Sequence, residues 1–139
     1  MAMGLGSSRR GGGKKKSLGA CNLASELHTG AVGSLWIGVG SKGLHVGEAL
    51  FAHRIPIEGA DDANADAVAS AAGWAADLYH DNLLPVVGCE RDDEEVVVLS
   101  AYREAEPLRT VLRVAGINRK PLPANIALKI LHDVLEGLT

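Results

Sequence analysis

Residues 34–54 read SLWIGVGSKGLHVGEALFAHR, and the fold turns on how this stretch is read. Ser34 to Val39 is β-rich, Gly40-Ser41-Lys42-Gly43 has turn chemistry, and Leu44 to Arg54 is again extended in character. Two extended runs joined by a glycine turn predict an antiparallel hairpin. Pro56 and Gly59 end it. The same stretch contains Gly38-Val39-Gly40-Ser41-Lys42-Gly43, a literal G-x-G-x-x-G directly after a strand. In a dinucleotide site such glycines open a helix whose N-terminal amides hold the pyrophosphate. Here they lead into Leu44-His45-Val46-Gly47, which has no helical pattern, and the Gly-Lys-Ser/Thr of a phosphate loop is missing. The glycines are read as hairpin chemistry.

Working outward, Asp61 or Asp62 can cap a helix over Ala63 to Tyr79, mostly alanine, with Val68, Ala72, Ala75 and Tyr79 on one stripe. Trp74 lies off that stripe, on a face with Ala67, Ser70 and Asp77, so one of the two faces meets something beyond the sheet. Leu83 to Glu90 predicts a strand, with Pro85 arguing for an edge because proline cannot donate to a ladder. Val96 to Ala101 is apolar on both alternating faces, as in a central strand, and Leu108 to Ala115 alternates like a half-exposed one. Pro121-Leu122-Pro123 introduces a last helix from about Ala124 to Glu136, with Gly137 as its stop. Upstream of the hairpin, Leu18, Cys21 or Asn22, Ala24 or Ser25, and Leu27 recur roughly at helical spacing, which predicts a short first helix over Ser17 to His28. The expected fold is α/β (α+β): one five-stranded antiparallel sheet covered by helices, in the order α-β-β-α-β-β-β-α.

At 139 residues with 47% hydrophobic content the chain can bury one core, and a second domain is not expected. Residues 1–16 carry five of the 14 basic residues and almost nothing to bury, so they predict a disordered basic tail ahead of a domain at 17–139. From Ser17 onward 9 basic residues face 17 acidic ones, a net charge of -8, which excludes nucleic acid as a partner of the folded body. The tail alone is suited to polyanions, including the surface of an endomembrane. Met3-Gly4-Leu5-Gly6-Ser7-Ser8 fits the myristoylation pattern if Met3 is the start, which makes Gly4 a candidate lipidation site. No apolar run approaches the roughly 20 residues of a membrane span, and the N-terminus lacks a secretory core, so a cytoplasmic protein is expected.

Cys21 and Cys89 make neither a disulfide framework nor a zinc site, and His28, His45, His53, His80 and His132 show no metal-ligand spacing. No metal and no cofactor is expected. Asp92, Asp93, Glu94 and Glu95 form a run on a hairpin tip and read as a solvated turn, since catalytic carboxylates need burial or a confined like charge. Cys89 is a nucleophile only if a histidine and an acid approach it in space. The residues therefore favour a non-enzymatic binding protein. The alternative is a small-molecule or cofactor sensor of the profilin-like class, with a pocket near Trp36, Phe51 and His53.

The chain resembles the roadblock family, in particular its Ragulator-type subunits with an added C-terminal helix. The resemblance lies in Leu27-His28-Thr29-Gly30, Val32-Gly33-Ser34-Leu35 and the Lys42-Gly43-Leu44 turn. It continues through Val68-Ala69-Ser70, Trp74-Ala75-Ala76 and Asp81-Asn82-Leu83, and covers about Leu18 to Leu138. It implies a dimerising scaffold or adaptor of a multisubunit complex that supports or regulates a small GTPase. Its partner would be itself or a related roadblock subunit. The interface it implies is Val68, Ala72, Trp74, Ala75 and Tyr79 of the middle helix with Leu84, Val86 and Val87 of the next strand. Two departures are Pro85 inside that strand and the longer Glu104-Ala105-Glu106-Pro107 connection.

Overall fold

The computed structural model describes residues 17–18, 20–57 and 62–139. The disordered tail, the lipidation site at Gly4 and a cap at Asp61 lie outside the described residues. In chain order the elements are β1 (Ser17–Leu18), β2 (Cys21–Gly30), β3 (Gly33–Gly40), β4 (Ala49–Pro56), α1 (Asp62–Ala76), β5 (Val86–Arg91), β6 (Glu95–Ala101), α2 (Leu108–Ile117) and α3 (Ala124–Gly137). A short 3-10 turn, Gly43–His45, stands between β3 and β4. The strands form one antiparallel sheet in the order β1-β2-β3-β4-β6-β5. The expected class holds: one antiparallel sheet with five long strands and three α-helices, extended by the two-residue β1.

The hairpin is present, with Ser34 opposite Arg54 and Trp36 opposite Ala52, but its second strand opens at Ala49 and not at Leu44, because the connection takes up Gly43–His45 as a 3-10 turn. Two other segments exchange type relative to the sequence reading. Ser17 to His28 is β1 and most of β2 instead of a helix. The β2–β3 ladder slips between Leu23 and Ser25 and again between Glu26 and His28. Each bulge inserts an extra residue, so a strand's period of two is stretched locally and its apolar residues imitate helical spacing. Leu108 to Ala115 is helix α2 instead of a strand. Its alternation of Leu108, Thr110, Leu112 and Val114 hides a second pattern, Leu108, Val111, Leu112 and Ala115, which is one face of a helix. Pro107 starts that helix, its carbonyl accepting from the amides of Thr110 and Val111.

Residues directly opposite in the ladders share a face of the sheet. One face carries Trp36, Ala52 and Leu99, and Arg54 opposite Val97. The other carries Ile37, Phe51 and Ser100, then Leu35, His53 and Val98, then Ile55 opposite Val96. On the first face Cys21, Leu23, Ala52, Val97 and Leu99 form the buried core, with Ala20, Trp36 and Val87 packed against it. Ala20 precedes β2 and Val87 belongs to the opposite edge, so the sheet curls until its two sides meet. The Ala20 amide donates to the Glu90 side chain, Oε1 at 2.7 Å, and ties the two sides at that one point without a ladder between them. Small residues make the curl possible: a Cβ at Gly38 would lie 2.4 Å from Cys21 Sγ. Helix α1 packs on β5 and β6, burying Ala65 and Ala72.

The polar chemistry of the hairpin tips is structural. Asp92 Oδ1 accepts from the amides of Glu94 and Glu95 at 2.8 Å each, which is the side-chain turn expected of the acidic run. Glu95 departs from that reading, because it is buried and forms a bidentate pair with Arg54, Nε to Oε2 at 2.8 Å and Nη2 to Oε1 at 2.7 Å. Arg54 also lies 5.6 Å over the Trp36 ring. No helix among the described residues is long and apolar enough to cross a membrane.

Candidate partner-binding surface

Helix α1 has a sheet-facing stripe of Ala65, Val68, Ala72 and Ala75, from fully to partly buried, and an outward face with Ser70 and Trp74. Alanine on the inner stripe brings the helix backbone close to β5 and β6, and the side chain with most apolar area is left outside. Trp74 is 80% exposed and Tyr79, just beyond the helix end, 89%. Leu78 between them is more than half exposed as well. The chain then turns through His80 to Leu83, and Leu78, Tyr79, Leu83, Leu84, Pro85 and Arg103 line an open groove of about 640 Å³.

The structure sorts the eight interface residues implied by the family resemblance. Trp74, Tyr79 and Leu84 are exposed, and the last two share the groove. Val68, Ala75 and Val86 are half-buried. Ala72 is buried between α1 and the sheet, and Val87, half-buried, packs against the inner core. Sequence reading missed Leu78 and Arg103. Leu78 fell inside the expected helix of Ala63 to Tyr79, which ends instead at Ala76, and Arg103 reaches the groove through tertiary folding alone.

Strand β5 is an edge, bonded to β6 and to no other described strand. The expected strand of Leu83 to Glu90 begins later, at Val86. Pro85 stands outside it, contributing only its carbonyl, which accepts from the Ala101 amide at 2.9 Å. The missing amide of Pro85 therefore costs the ladder nothing, and the edge offered by β5 is free of proline.

The other candidate sites do not assemble. Trp36 and His53 lie on opposite faces of the sheet, and Phe51 shares the face of His53, so these three line no common pocket. Trp36 donates to Ser34 Oγ at 2.9 Å, and Phe51 rests against Tyr102 with ring centroids 5.1 Å apart. Apolar neighbours bury His53 and push its imidazole below the usual range. Burial first, and the charge of Glu90 second, push the Cys21 and Cys89 thiols up, away from the nucleophilic thiolate. The glycines of the G-x-G-x-x-G motif end β3 and open a three-residue 3-10 turn, with no α-helix behind them to hold a phosphate.

His132, Asp133 and Glu136 form an exposed cluster on α3 with ligand-type atoms within 4.8 Å of one another. These groups are already engaged with one another: Lys129 pairs with Asp133, and His132 Nε2 lies 3.5 Å from Glu136 Oε1. The hydrogen bond from Lys129 holds the Asp133 carboxyl below the usual carboxylate range.

The fold and surface thus define a class: an α/β domain on one curled antiparallel sheet, with an exposed aromatic patch beside an edge strand. Comparison with models of known protein families finds no match. No curated protein matches the chain in sequence either.

Proposed function

We propose that this chain is a non-enzymatic scaffold that works as a dimer within a larger assembly. The observation that carries the reading is the exposure of Trp74, Leu78 and Tyr79 at the end of α1, close in sequence to the edge strand β5. Large aromatics are the residues that dominate binding energy when a partner desolvates them. An edge strand is a template for pairing with another chain. A second copy laid against the same surface covers the aromatics and extends the sheet through β5, and such a twofold contact is the commonest form of self-association.

Non-enzymatic action is supported by the thiols, which are pushed away from reactivity, and by the dispersal of the histidines. The more specific role, supporting or regulating a small GTPase from a cytoplasmic or endomembrane-surface complex, comes from the roadblock resemblance alone. Light scattering tests the dimer: the wild-type chain is expected at twice its monomer mass, and Trp74→Glu with Tyr79→Glu at the monomer mass with an unchanged circular dichroism spectrum. A wild type that stays monomeric at high concentration refutes the reading. The GTPase role is tested by native mass spectrometry of the complex isolated from its source, and a complex with no GTPase among its subunits refutes it.

A further inference from the structure

We infer that α2 is a membrane-contact element, which lays Arg109, Leu112, Arg113 and Ile117 on an anionic lipid surface with Arg119 and Lys120 at its end. The contact stands apart from the proposed dimer, because it uses no residue of the α1–β5 surface.

The folding of Leu108–Ile117 into a helix creates this surface. A strand would put Arg109 and Arg113 on one side and Leu108 and Leu112 on the other. The helix turns them outward together. Within α2 only Thr110, Val111 and Ala115 are half-buried, as is Pro107 just before it. With 3.6 residues per turn, Arg109, Leu112, Arg113 and Gly116 fall within roughly 100° of one another, on the side away from those residues. An added Cβ at Gly116 would meet nothing within 4 Å, so this side of the helix looks onto open space. Leu112 and Ile117 are each more than half exposed, and Leu108, one turn before Leu112, is close to half exposed.

Charge selects the occupant. From Leu108 to Pro123 there are four basic residues and no acidic one. Of the 9 basic residues from Ser17 onward, the other 5 share the rest of the body with all 17 acids. Arg109 Nη1 lies 3.3 Å from His28 Nε2, an uncharged partner when the imidazole is neutral. Among the described residues no carboxylate pairs with Arg113, Arg119 or Lys120. Glu104 and Glu106 lie before Pro107, at the opposite end of the helix from Arg119 and Lys120. Arg119 stands at φ 50°, the left-handed position after a helix that glycine usually fills. A helix that lies on an anionic membrane joins leucines to a polar face of lysine and arginine. An acidic protein or a nucleic acid would call on the cations alone, whereas the exposed aliphatic side chains set among them favour lipid. Arg9, Arg10 and Lys14 to Lys16 supply a second basic segment, and each cation near such a surface adds to the attraction.

The test is co-sedimentation of the full chain with phosphatidylcholine vesicles, with and without phosphatidylserine. Binding is expected only where phosphatidylserine is present. Arg113→Gln with Lys120→Gln is expected to weaken it about thirtyfold, through the loss of two cations near an anionic surface. Leu112→Ser is expected to weaken it about fivefold and to leave the remainder more sensitive to salt. These side chains are exposed, so circular dichroism and light-scattering mass should stay as in the wild type. Should Leu112→Ser unfold, the glutamine pair carries the test. Binding that the α2 variants leave unchanged, and that removal of residues 1–16 abolishes, overturns the inference and assigns the contact to the N-terminal segment. Equal binding to both kinds of vesicle overturns the choice of an anionic surface. Binding to neither overturns the inference, and retention of polyglutamate or duplex DNA by the same arginines then assigns α2 to an acidic protein or to nucleic acid. A wild type that is monomeric yet binds phosphatidylserine through α2 refutes the dimer and supports this contact.

Discussion

Replacing Glu95 by alanine removes one half of a bidentate ion pair whose other half, Arg54, has nowhere to go. Their side chains are 10% and 15% exposed, and both contacts, at 2.7 and 2.8 Å, have the geometry of a guanidinium fork on a carboxylate. Arg54 is further fixed over the Trp36 ring and stands opposite Val97 in the ladder. An uncompensated charge left at such a site costs about 3–5 kcal/mol. A domain of this size holds about 5–15 kcal/mol in total, so the variant loses a large share of its stability. With a urea slope of about 2 kcal/mol per molar, the unfolding midpoint should fall by about 2 M. Trp36 reports the transition directly, because its fluorescence depends on the same cation. Arg54→Met with Glu95→Leu removes both charges and should recover most of the loss, since a buried pair replaced by apolar groups is often neutral. A cost below about 1 kcal/mol for Glu95→Ala, as for a solvated surface pair, refutes the reasoning.

Two further expectations follow from the inner and outer faces of the sheet. Gly38→Ala should destabilise the fold by about 1–3 kcal/mol, because the added carbon meets Cys21 Sγ in the tightest part of the curl; a thermal melt within a degree or two of wild type would show that the curl can open without cost. His53 has its folded-state pKa depressed by burial, so the native state binds fewer protons than the unfolded chain between the depressed value and the ordinary one near 6.5. Stability is therefore full above about pH 6.5 and is lost as pH falls below it. Urea midpoints across that range should show a slope that His53→Phe removes, and an equal slope in the variant would assign the effect to another group.

The elements legible in the sequence were those whose pattern fits a single period. The hairpin around Gly40–Gly43, the central strand β6 and the helix α3 all appear where their residues place them. What stayed hidden had a physical cause in each case. The two bulges of β2 are set by pairing with β3, and local sequence cannot announce a slip in register. The segment after Pro107 satisfies both the two-residue and the 3.6-residue template, and tertiary context chose the helix. Of the candidate surface, Trp74 was marked by its place off the alanine stripe, a property of spacing alone. The pairing of Glu95 with Arg54 spans 41 positions and was masked by three acidic neighbours on a tip that is otherwise solvated.

The distribution of burial is the feature that best fits the proposed association. The fully buried apolar residues come from the strands and from two alanines of α1, and neither α2 nor α3 contributes one. Yet α2 and α3 are the two most plainly amphipathic segments, with Leu108, Leu112 and Ile117 on the first and Leu128, Leu131 and Leu135 on the second exposed. An isolated helix of this length is marginal in water, and most helices are held by packing an apolar face. Among the described residues neither face is fully covered, which supports the proposed contacts with another chain and, for α2, with a lipid surface. Exposed apolar area on this scale marks an interaction surface in a native protein. The exposed Trp74 and Tyr79 and the apolar face of α3 are then consistent with the proposed association with another chain, and disrupting it should loosen α3 first, because among the described residues two side-chain bonds from Asn82 tie it to the body.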